Sequence, residues 1–169
     1  MTTMRTAPAR RTTRGALVAL LTGAGLVLTP MAAQAAAPDT AAVAAAPAAA
    51  STAKAQIAVD TALAQLGDPY VWAGAGPNSF DCSGLTQYAY KAAGISLPHS
   101  SKSQSTMGTP VAKADLKPGD LVFFYSPVSH VGMYIGNGQM VHAPTSGDVV
   151  KVASIDAVGS ITAMRRIAG

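Results

Sequence analysis

Apolar residues recur at helical spacing in the middle of the chain and fall into short continuous runs toward its end, with the change near Gly108. Residues 54–66 place Ile57, Ala58, Ala62, Leu63 and Leu66 on one approximate face, and Gly67 supplies a stop, which predicts a helix. Asp68-Pro69 forces a turn, Tyr70-Val71-Trp72 reads as a short extended segment, and the turn-formers of residues 73–78 read as a loop. A second helix is predicted from Asp81 or Cys82 to Ala93, with Leu85, Tyr88, Ala89 and Ala92 on one side and Gly94 ending it. A shorter third helix covers residues 100–107. Beyond Gly108, residues 121–125, 131–135, 139–143, 149–153 and 161–167 read as strands. Gly136-Asn137-Gly138 is a hairpin signal between the second and third of them. Helices first and an antiparallel sheet second define an α+β fold, with N-terminal helices packed on the sheet.

The first residues do not belong to that pattern. Arg5, Arg10, Arg11 and Arg14 precede an apolar run, residues 16–28, that is interrupted by Gly23 and Gly25 and is too short to span a bilayer as a helix. Residues 1–35 are therefore predicted to be a signal peptide, cleaved after Ala33-Gln34-Ala35 on the general secretion route, in preference to a retained membrane anchor. Residues 36–53, nearly all Ala, Pro, Ser and Thr, have little to bury and are predicted to be a disordered linker. Residues 54–169 then form one domain with one core. The formal charge of +4 resides in the four leading arginines, and the remainder balances eight basic residues against eight aspartates. The basic composition thus gives no argument for nucleic acid, nor for a membrane once the signal is removed.

Cys82 is the only cysteine, so it cannot close an intramolecular disulfide. It is a buried thiol, an intermolecular partner or a nucleophile. It lies in Asp81-Cys82-Ser83-Gly84, where a loop enters a helix whose first amides have no intrahelical partner and favour a thiolate. Gly84 leaves room for a substrate or a facing strand to approach the first turn. Two histidines lie on the adjacent strands of the hairpin. Pairing about Asn137 sets His130 opposite position 144, close to His142, so that one imidazole can orient the other as the third member of a triad. A strand histidine taken alone is more often structural. The three histidines and one cysteine lack the close spacing of zinc ligands, and no glycine-rich phosphate loop joins a strand to a helix, so neither metal nor cofactor is expected.

Five segments, in order and suitably spaced, resemble the NlpC-type cell-wall cysteine peptidases, whose fold is related to papain. They are Tyr70-Val71-Trp72, Asp81-Cys82-Ser83-Gly84-Leu85, the run 116–124 around Lys117-Pro118-Gly119-Asp120, the run 130–136 that begins His130-Val131-Gly132, and His142-Ala143. The resemblance covers nearly all of residues 54–166. It implies that Cys82 attacks a peptide carbonyl, that His130 takes its proton and that His142 orients His130. It also implies that Tyr70 stands beside the cysteine, and that Asp81 and Ser83 hold the free amine of a peptidoglycan stem peptide. The bond cut would follow D-glutamate, between its γ-carboxyl and the diamino acid, in a secreted, monomeric enzyme of the cell wall. Tyr70 can instead be an edge-strand aromatic, and Asp81 merely a helix cap. Trp72 is read as core. Two positions depart from the family: Ala73 replaces a frequent glycine, and His99, read as a surface or groove residue, replaces a frequent arginine. The alternatives are a cysteine–histidine amidase that cuts between muramic acid and L-alanine, and a secreted wall-binding protein without activity.

Overall fold

The computed structural model describes residues 41–169; the expected signal peptide, its cleavage site and residues 36–40 lie outside the described residues. Helix α1, Ala41–Leu63, takes up most of the segment expected to be a disordered linker. Alanine has the highest helix propensity and loses no side-chain entropy, so a stretch with nothing to bury still favours helix over coil. Ala58, Val59 and Ala62 turn inward, while Ile57 and Leu66 are exposed, so the buried face is offset from the expected one. Small residues at that face let α1 lie close against α2, Cys82–Ala92. Counting large apolar residues could not reveal it. Helix α2 ends at Gly94, whose positive φ closes the turn. It buries Leu85, Thr86, Ala89 and Tyr90, with Ala92 left exposed. Helix α3, Ser101–Gln104, is shorter than expected and is capped by Ser100.

The sheet has six strands: β1 Thr109–Pro110, β2 Leu121–Phe124, β3 His130–Gly136, β4 Gln139–His142, β5 Lys151–Ser154 and β6 Ile161–Arg166, in the order β1-β6-β2-β3-β4-β5. All neighbours pair antiparallel, which fixes the α+β class. The two-residue β1, Thr109–Pro110, was not expected. Proline is tolerated there because the strand is at the sheet edge. Every residue of β2 is buried, since both faces of the sheet are covered: Leu121 and Phe123 meet the helices, while Val122 and Phe124 meet Met140 and Ile155. That two-sided burial is why β2 reads as an unbroken apolar run rather than an alternating one.

The β3–β4 hairpin has the expected register, Met133 facing Val141 and Tyr134 facing Met140. Asn137 and Gly138 both take positive φ, which makes the tight turn whose twist matches the strands. At the start of β2, buried Asp120 accepts hydrogen bonds from Arg166 Nε and Nη2 at 2.9 and 2.7 Å and from the Lys117 amide at 2.7 Å. This clasp ties β2 to the end of β6. The groove described next lies at the other end of β2, where β3 begins.

Candidate active site

Asp81 caps α2: its Oδ1 accepts the Gly84 amide at 2.7 Å and the Ser83 hydroxyl at 3.0 Å. The cap places Cys82 at the first position of the helix. Gly84 has a close neighbour, but it is the Gly74 carbonyl of the preceding loop rather than a substrate or a facing strand. A Cβ on Gly84 would lie 1.9 Å from that oxygen, which also accepts the Asp81 amide at 2.8 Å. Across the groove, His130 opens β3 and His142 closes β4. The ring nitrogens His130 Nε2 and His142 Nδ1 are 2.9 Å apart, and both residues are buried. The groove, about 470 Å³, is lined by Tyr70, Asp81, Cys82, Ser83 and His130 among others. Five of the six expected site residues thus share one groove, and His142 stands directly behind His130.

Burial pushes the Cys82 thiol above its ordinary value. The amides of Val131, Ser83 and Cys82 itself pull it down, and the Asp81 carboxylate pushes it further up. The stabilisation of thiolate expected from the helix start is therefore present but outweighed. Burial, and then the neighbouring His142, lower His130 to about 4; burial, with a contribution from Lys151, also brings His142 to about 4. The resting pair is a thiol facing a neutral imidazole, and the nitrogen left to His130 for further bonding is Nδ1. When Nδ1 is the bare nitrogen, Nε2–H donates to Nδ1 of His142. His142 then carries its own proton on Nε2, a buried atom without a hydrogen-bond partner among the described residues. The Tyr70 hydroxyl is raised by burial and by the negative charges that Cys82 and Asp81 can carry.

These two histidines make stability depend on pH in one direction. In the unfolded chain they take up protons near 6.5, while in the folded chain they stay neutral to about 4. Below about 6.5 the unfolded state binds more protons, so stability is expected to fall as pH drops from 6.5 toward 4 and to level off beneath that. Urea midpoints measured across this range test it. A flat profile would show that the histidines are solvated.

Three features were not legible beforehand. His99 is no bystander, since its Nε2 lies 2.7 Å from Asp81 Oδ2. Buried Gln104 donates to the Ser83 carbonyl at 3.0 Å and the Pro98 carbonyl at 2.8 Å and accepts from the Thr86 hydroxyl at 2.7 Å, fixing the start of α2 to the segment bearing His99. Nothing in a four-residue polar helix announces such a role. Trp72, expected in the core, is instead 81% exposed at the groove. Its segment makes only isolated bridges and does not join the sheet, so no second layer covers it.

Helices on an antiparallel sheet, with a helix-start cysteine and a strand-borne histidine lining one groove, define a papain-like domain. The chain belongs to the NlpC/P60 family, whose model matches residues 67–167. A Mycobacterium tuberculosis (strain H37Rv) protein described as a probable endopeptidase is 52% identical over 101 residues, which are 60% of this chain and 26% of the relative. Among solved structures, an NlpC/P60 family protein from Bacillus cereus superposes with TM-score 0.65 at 38% identity, covering 68% of this chain and 40% of that one. The NlpC/p60 domain of the peptidoglycan hydrolase SagA superposes with TM-score 0.61 at 36% identity, covering 66% of this chain and 97% of that one. The chain thus spans about a quarter of the length of the mycobacterial relative.

Proposed function

We propose that residues 54–169 form a secreted peptidoglycan endopeptidase that cuts stem peptides between the γ-carboxyl of D-glutamate and the diamino acid. The observation that carries this reading is that Cys82 and His130 line one groove while His142 stands behind His130, their ring nitrogens 2.9 Å apart. The description of SagA as a peptidoglycan hydrolase and of the mycobacterial relative as a probable endopeptidase supports it. Cys82 Sγ attacks the carbonyl carbon while His130 Nδ1 takes the thiol proton, and the resulting imidazolium is held by Nδ1 of His142. The oxyanion accepts from the Cys82 amide, which has no acceptor within the helix. Collapse passes the proton from His130 to the leaving amine and leaves a thioester on Cys82. His130 then deprotonates a water, whose attack releases the acyl peptide and restores the thiol. Tyr70 borders the reacting carbonyl, and Asp81 with Ser83 receives the free L-alanine amine. Because Asp81 Oδ1 is committed to the cap, that ammonium shares Oδ2 with His99.

Digestion of purified wall followed by mass analysis tests the bond. An endopeptidase leaves L-alanyl-D-glutamate on the sugar, whereas release of whole stem peptides would identify an amidase and no product a binding protein. The orienting role of His142 has a separate signature. His142→Ala is expected to lower kcat by roughly 10²-fold or more, because the tautomer of His130 is no longer fixed. His142→Asn, whose side-chain oxygen accepts the same Nε2–H, should recover a large part of that loss. Equal loss in both variants would assign His142 to packing alone.

A further inference from the structure

A second groove meets the first at the base. It encloses about 520 Å³ and is lined by Tyr125, His142, Thr145 and Lys151 among others, and it shares Ser129, His130 and Pro144 with the groove that holds Cys82. On the reading above, the acyl half of the substrate stays bonded to Cys82, with Asp81 and Ser83 in the first groove. The other half leaves as an amine that His130 must protonate. A peptide running through both grooves therefore places its leaving residue in the second.

The side chains there form a row across the sheet. His130 and His142 touch, and His142 is paired directly opposite Lys151 in the β4–β5 ladder, so all three project from one face. Lys151 Nζ lies 2.5 Å from Asp148 Oδ2, and the Val149 amide holds Asp148 Oδ1 at 2.8 Å. Both charged side chains remain open to solvent, Lys151 at 47% and Asp148 at 31%. One of the three donors of Lys151 is engaged with Asp148, and two remain for a ligand.

We propose that the second groove receives the leaving residue, and that Lys151 and Asp148 select a side chain ending in both a carboxylate and an ammonium, as in diaminopimelate. This rests on the endopeptidase reading. A zwitterionic end can lie head to tail on the Lys151–Asp148 pair, forming two charge-assisted contacts and leaving no charge unmatched. A side chain ending in an ammonium alone, as in lysine, finds only Asp148, must compete with Lys151 for it and sits beside a like charge.

The test compares kcat/KM for L-alanyl-γ-D-glutamyl-meso-diaminopimelate and the corresponding L-lysine peptide, in the parent chain and in Lys151→Met. The parent is expected to prefer the diaminopimelate peptide by about tenfold, or ~1.4 kcal/mol. Lys151→Met should collapse that ratio to about one, chiefly through KM of the diaminopimelate peptide. A change acting only through His142 would move both peptides together and leave the ratio intact, which would overturn the proposal. So would a parent enzyme that cuts both peptides equally, although the endopeptidase reading would then stand. A folded parent that cuts neither peptide removes both.

Discussion

Cys82→Ala is expected to lower turnover of wall peptides by about 10⁴-fold or more while leaving the circular dichroism spectrum and thermal midpoint close to those of the parent. Its side chain is only partly buried, and the helix it begins is capped by Asp81, so a methyl group in place of the thiol removes few contacts. What disappears is the atom that, on the proposed mechanism, bonds to the substrate. With the thiol raised by burial and His130 neutral, the proposed mechanism makes the rate depend on proton transfer during attack rather than on a standing thiolate. His130→Ala should therefore cause a comparable loss, and the double variant should add little, because residues acting as one unit are not additive. Comparable turnover in Cys82→Ala would falsify the peptidase assignment.

The largest stability effect is expected at Gly84. An alanine methyl there would overlap the Gly74 carbonyl at 1.9 Å and press on Ala75 Cα at 3.0 Å, and both obstacles are backbone. Relief requires the loop to back away, which breaks the 2.8 Å bond from the Asp81 amide to Gly74 and shifts Ala73 and Trp72 at the groove. Gly84→Ala should cost roughly 3 kcal/mol or more, the upper range of overpacking. Gly94→Ala is the control. Gly94 has positive φ but open space around its Cβ position, so its cost should be only about 1 kcal/mol. Similar chemical-denaturation midpoints for the two variants would show that the loop does not press on α2.

What the sequence disclosed and what it withheld divide along the range of the interactions. The hairpin register was readable because the turn at Asn137-Gly138 fixes it locally, and the start of α2 because its signals lie within one turn, with the Asp81 cap only an alternative there. The inward face of α1 was not, since alanine is compatible with burial and exposure alike and its orientation is decided by α2. The same holds for Gln104 and His99: each is an ordinary polar residue until the fold brings its partner across, Ser83 for one and Asp81 for the other. Trp72 was misread because side-chain hydrophobicity favours burial, yet its segment lies outside the sheet that would have covered it.

The two histidines occupy the open ends of a single hairpin, so their contact needs only a short loop to close. Such units form on the microsecond scale with little help from the rest of a chain. The thiol comes from a helix separated from that hairpin by about three dozen residues, and it reaches the imidazole only when helix and sheet dock. Any reactivity of the thiol–imidazole pair is thus latent in the unfolded polypeptide and depends on a non-local contact. On the proposed function, an unfolded chain carries all the parts of the cutting site and none of its edge.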